Sequence, residues 1–153
     1  MQLFEIFRQI EDAEGTEQVF TVVKSEFLAK ASPSAGSAIF FKLGKALSAK
    51  LQNQNDWLAF LQRIWDEGGR AGKLIGLALM STKIDEPGTI VPALYRLALT
   101  AESQEVAEKL GVGVLEKMVR SDRESFAELL NDWQSDENIE VANMAKIVKK
   151  RME

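Results

Sequence analysis

A chain of 153 residues, 46% hydrophobic and 27% charged, has the balance of a globular protein and enough length to bury one continuous core. It contains no cysteine and no histidine, which excludes disulfides, thiolate catalysis, zinc-thiolate and iron–sulfur ligation and imidazole bases; carboxylates, lysines, hydroxyls and Tyr95 remain for any chemistry. The formal net charge of -4 belongs to the second half, because residues 1–80 carry nine basic and nine acidic side chains while residues 81–153 carry ten and fourteen.

Apolar residues recur at helical spacing almost throughout and no run alternates at the period of a strand, so an all-α fold is expected. Leu3, Ile6, Phe7 and Ile10 define a first helix that ends before Gly15. Thr16 is positioned to cap a second, with Val19, Phe20, Val23 and Phe27 inward. Ser32-Pro33 reads as an N-cap followed by proline at the first position of a third helix, lined by Phe40, Leu43, Leu47 and Leu51. The polar segment Gln52 to Asp56 is a turn. Trp57, Leu58, Leu61, Ile64 and Trp65 make a fourth helix, stopped by Gly68-Gly69. A fifth carries Ala71, Leu74, Ile75, Ala78 and Leu79. The turn Asp85-Glu-Pro-Gly leads to a sixth with Leu94, Leu97 and Ala98 on one face and Pro92 in its first turn. Ser103 caps a seventh, with Val106, Leu110, Val114 and Met118 inward. Ser121-Asp-Arg-Glu124 fits a capping box ahead of an eighth helix that buries Phe126, Leu129, Leu130 and Trp133. The ninth buries Val141, Met144, Ala145 and Val148, and its acidic start and Lys149, Lys150, Arg151 end complement the helix dipole.

The stretch Thr100-Ala-Glu-Ser-Gln-Glu-Val-Ala-Glu-Lys-Leu recurs about 35 residues later as Ser135-Asp-Glu-Asn-Ile-Glu-Val-Ala-Asn-Met-Ala, a spacing of stacked helix pairs. Arg70, Ala71, Ile75 and Leu77 extend the pattern one period back, to Glu105, Val106, Leu110 and Val112. Short connections favour antiparallel hairpins. The expected architecture is a single domain, residues 1–153, of stacked hairpins in a HEAT-like superhelix of about nine helices, with residues 1–52 as an N-terminal cap and 53–153 as the repeats.

Two segments carry a resemblance: Leu61-Gln-Arg-Ile-Trp65-Asp-Glu-Gly-Gly-Arg70-Ala-Gly-Lys-Leu-Ile, and Leu129-Leu-Asn-Asp-Trp133-Gln-Ser-Asp-Glu-Asn138-Ile-Glu-Val-Ala142. They resemble the DNA alkylation repair glycosylases built of HEAT-like repeats, in which a helix ends in tryptophan, a polar turn follows and the next helix lines a concave surface. The resemblance implies aromatic platforms for a lesion, a carboxylate for the developing sugar cation and cations along the phosphates. The group's Trp-Asp-x-x-Asp is incomplete here, since Trp65-Asp66 is followed by Glu67-Gly68-Gly69, and Ala142-Asn143 stand where its pair of arginines would fall.

Candidate site residues follow. Trp57, Trp65 and Trp133 are rigid stacking surfaces or gap-fillers between helices. Asp66 with Glu67 is the one adjacent carboxylate pair beside an indole. Arg63, Arg70 and Lys73 surround the Gly68-Gly69 turn, where a helix N-terminus can receive an anion. Gly111-Val-Gly113 lies in a helical pattern, so it signals close helix packing and not a dinucleotide loop. Lys146, Lys149, Lys150 and Arg151 form a basic helix end.

The reading is a non-enzymatic module that binds a protein partner on its concave surface, contacted through Trp65, Trp133, Arg63, Arg70 and Lys73. The alternative is a divergent DNA-binding or glycosylase-like protein with Asp66 as the catalytic carboxylate. No cofactor or metal is expected: the chain lacks an Asp-x-Asp-x-Asp-Gly loop. The acidic second half disfavours nucleic acid. No window approaches the ~20 apolar residues of a membrane span, and the opening residues lack the order of a signal peptide, which makes the cytoplasm the expected location.

Overall fold

Every regular element in the computed structural model, which describes residues 3–153, is helical. Two compact units divide the chain, one ending at Thr82 and the other running from Lys83 to Glu153. The division coincides with the charge boundary, since residues 81 and 82 are uncharged: the first unit is formally neutral and the second carries the whole excess of acid.

The first unit contains α1 (Leu3–Asp12), α2 (residues 15–31), α3 (Ser37–Lys50), α4 (Gln54–Glu67) and α5 (Gly69–Ser81). Its core forms where α5 packs against both α3 and α4, with α2 against α4 and α1 against α3. Ile6, Val19, Phe27, Leu43, Leu47, Ile64, Ile75 and Leu79 are completely enclosed there. Aromatic edges meet faces at Phe20–Phe60 (6.1 Å) and Phe27–Phe40 (5.5 Å), the geometry that ring quadrupoles favour.

Glycines set how closely α4 and α5 approach. Gly69 adopts φ +62° as the chain reverses, a conformation that costs an L side chain. Gly68, Gly72 and Gly76 then recur every four residues on one stripe. A Cβ on Gly72 would collide with the Ile64 carbonyl oxygen, and one on Gly76 would stand 2.8 Å from the Trp65 ring. Gly44 of α3 meets Ala78 of α5 just as tightly.

The second unit contains α6 (Pro87–Leu99), α7 (residues 104–121), α8 (Arg123–Gln134) and α9 (Ile139–Met152). The last of these is its centre, touching α6, α7 and α8. The hydrogen-bonding of α7 widens to five residues from Gly111, where the Glu116 N–H donates to the Gly111 carbonyl. Gly111 faces α9 so closely that a Cβ would lie 2.7 Å from the Met144 carbonyl, whereas Gly113 has open space. Buried Glu116 accepts hydrogen bonds from Arg151 of α9 and, at 3.4 Å, from Arg120. Its pKa is lowered, chiefly by the Arg151 hydrogen bond, against the opposing effect of burial.

The helices α5, α7 and α9 begin at Gly69, Gln104 and Ile139, two equal steps of 35 residues. The first backbone bonds keep step: Gly72 N–H to Gly68 (2.9 Å), Ala107 to Ser103 (3.2 Å) and Ala142 to Asn138 (3.0 Å). The turns behave alike, with Thr100 N–H donating to Leu97 and Ser135 N–H to Asp132. Side-chain caps match as well, because Ser103 Oγ accepts from Val106 N–H and Asn138 Oδ1 from Val141 N–H.

Several boundaries depart from the sequence expectation. Ser32–Ser34 is a separate short turn, and α3 starts only after Gly36. Thr16 lies inside α2, whose start is fixed by the Gln18 side chain accepting from Glu14 N–H. Ser121 ends α7 by donating to the Met118 carbonyl; Asp122 is the cap of α8, accepting from the N–H and hydroxyl of Ser125. A carboxylate is the stronger acceptor for these donors. Pro92 sits in the interior of α6, where its missing N–H falls opposite exposed Gly88 and water can serve that carbonyl. Of the apolar face of α8 only Leu130 is buried; Phe126, Leu129 and Trp133 are half-covered.

Candidate interaction surface

Most of the residues singled out around the Gly68-Gly69 turn are committed to the interior or to each other. Trp65 retains no exposed surface and Trp57 only 1%, so neither indole offers a face on which a base or side chain can stack. Glycine at position 76 creates the space that the Trp65 ring fills. Lys73 is buried; its ammonium donates to the Trp65 carbonyl at 3.2 Å and lies 5.5 Å from that ring. The charge thus serves the C-terminal turn of α4, where the helix dipole is negative.

Arg63 lies over the Phe20 ring at 3.8 Å and donates to Glu17 (2.6 Å) and Glu67 (3.1 Å). These partners raise its pKa further, the Glu17 hydrogen bond contributing most. Lys24 reaches Glu67 at 3.6 Å, completing a surface network that ties α2 to α4. Asp66 is exposed and accepts from Gln62 at 3.0 Å. The two adjacent carboxylates therefore have different partners. Arg70 is exposed in the first turn of α5.

Trp133 is different. It ends α8 in the second unit and is half-exposed, with its ring tilted 51° against Tyr95 of α6 at 5.5 Å. The turn to α9 then brings Asp136 under the tyrosine: Tyr95 Oη donates to Asp136 Oδ2 at 2.8 Å, and Asn138 N–H donates to Oδ1 at 2.8 Å. Asn138 in turn caps α9. The carboxylate is thus held by one side-chain and one backbone donor, and the aromatic pair by the carboxylate. The Tyr95 pKa is raised, first by this hydrogen bond, then by partial burial and by the charges of Asp136 and Glu137. The phenol stays neutral, which suits it to positioning and not to acting as a base or nucleophile. Ile139, the first residue of α9, is 67% exposed beside the same turn.

Sequence reasoning identified Trp133 but not Tyr95 or Asp136 as its neighbours. The one available signal is that Tyr95 is the only tyrosine and shares a helix with the inward Leu94, Leu97 and Ala98; Asp136 stands out in the sequence only as one of the acidic residues that precede the last helix. Among the described residues no group of carboxylates is arranged to hold a metal ion, and no helix is long and apolar enough to cross a membrane. No family model, curated protein or solved structure matches this chain.

Proposed function

We propose that this protein is a non-enzymatic helical-repeat interaction module that receives a protein segment, with the corner between α8 and α9 as its point of contact. The observation that carries this reading is Trp133: of three tryptophans it alone keeps solvent access, and it is fixed beside a hydrogen-bonded tyrosine and aspartate. A rigid, half-exposed indole is a characteristic anchor of protein interfaces. The equal 35-residue steps of α5, α7 and α9 support successive hairpins as the scaffold.

The glycosylase-like alternative draws less support, since Trp65 is enclosed, Lys73 serves a helix end and Arg63 is occupied by two glutamates. Panning a displayed peptide library against the protein, with Trp133→Ala as counter-target, is expected to enrich segments that distinguish the two. Binders indifferent to Trp133, or retention on duplex DNA that weakens steeply with salt, would overturn the proposal.

A further inference from the structure

Building on that reading, we infer that the corner formed by Trp133, Tyr95 and Asp136 accepts a cationic side chain, an arginine of a basic peptide segment flanked by aliphatic residues. Three features converge. The indole of Trp133 keeps part of its surface open to solvent, and indole is the side chain on which a guanidinium stacks best. Asp136 is held in place by Tyr95 and Asn138, yet each carboxylate oxygen accepts only one of those bonds and retains a lone pair. No cation among the described residues pairs with Asp136 or with exposed Glu137.

The setting selects the sign of the ligand. The unit that contains the corner carries fourteen acidic and ten basic residues, so an anion approaches against the field and a cation with it. A neutral ligand covering Trp133 would desolvate the two carboxylates without compensation. Exposed Ile139 supplies the apolar contact for the neighbour of the arginine.

Tryptophan emission tests the inference, because Trp57 and Trp65 are enclosed and only Trp133 can report contact. The probes are an eight-residue peptide of alternating arginine and leucine and its citrulline counterpart, which has the same shape without the charge. The arginine peptide is expected to bind at least tenfold more tightly than the citrulline one. By a label on the peptide, Trp133→Ala and Asp136→Asn should each weaken it at least fivefold, and Glu124→Gln with Glu128→Gln, earlier on α8, by less than twofold. Trp133→Phe, which keeps the bulk of the ring, guards against a folding artefact and should retain part of the affinity. Equal binding of the citrulline peptide overturns the cation inference while leaving the interaction-module reading intact. Equal losses in the Glu124/Glu128 variant and in Asp136→Asn overturn it as well, since they reduce the attraction to diffuse charge. If neither peptide binds, the inference fails; Trp133-dependent binders from panning would then still support the module.

Discussion

Gly111 and Gly113 stand two residues apart in α7, and replacing each by alanine is expected to move stability in opposite directions. Alanine is favoured over glycine in a helix by about 0.8–1.0 kcal/mol. At Gly113 nothing lies within 4 Å of the new Cβ, so most of that gain is realised and the variant should be more stable by about 0.5–1 kcal/mol. At Gly111 the same methyl group meets the Met144 carbonyl oxygen at 2.7 Å, Ile147 Cγ2 at 2.8 Å and Val148 Cγ2 at 3.3 Å. The first obstacle is backbone and the others are β-branched side chains with little rotamer freedom. The helices α7 and α9 must separate, at an overpacking cost of about 3 kcal/mol, and the net loss is about 2 kcal/mol after the propensity gain. Urea unfolding followed by far-ultraviolet circular dichroism measures both, and the two midpoints should fall on opposite sides of the parent. A Gly111→Ala protein as stable as the parent would refute the argument that this close approach determines the packing of α9.

Other consequences concern charge and burial. Because the Glu116 pKa is lowered in the folded state, its contribution is present above the unfolded value and is lost as pH falls through the folded one; Glu116→Gln should lower urea midpoints at neutral pH and flatten their decline in acid. With no histidine in the chain, stability should be nearly level between about pH 6 and 8. The single tyrosine permits a direct titration by absorbance at the phenolate band: the midpoint should lie above the ordinary 10.0, and Asp136→Asn should bring it down. The raised value means that the Tyr95 contribution is present below the unfolded pKa and is lost as pH rises through the folded one. Trp65→Ala should cost about 3–5 kcal/mol and Trp133→Ala clearly less, with acrylamide quenching of the parent emission arising from Trp133; equal losses in thermal melts would contradict the contrast in burial.

The helices were legible because their cores are periodic. Ile6 and Ile10, Leu43 and Leu47, or Val141, Met144, Ala145 and Val148 repeat at helical intervals and all are buried. Ends were less legible where several short polar residues compete: Ser121 and Asp122 are both competent caps, and the carboxylate took the position. The stripe Gly68, Gly72, Gly76 was present in the sequence as a four-residue period, but it acquires meaning only when α5 is laid against α4. Long-range partners were not legible. Nothing in the spacing of Phe20 and Arg63, of Glu116 and Arg151, or of Tyr95 and Asp136 announces that they meet, because each pair depends on how separate helices are placed. The burial of Trp65 and the access of Trp133 were hidden for the same reason: both end a helix in a similar polar turn, and what differs is the packing opposite, where Gly76 leaves room for the Trp65 ring.

The even spacing of Gly68, Ser103 and Asn138 makes chain length a quantity with a phase. A segment of one full interval can be gained by tandem duplication with every downstream cap still landing at the mouth of its helix. An insertion of one or two residues within a helix instead rotates the following apolar stripe out of alignment, by about 100° for each residue added. Tolerance to insertions should therefore be greatest in the turns before those three residues.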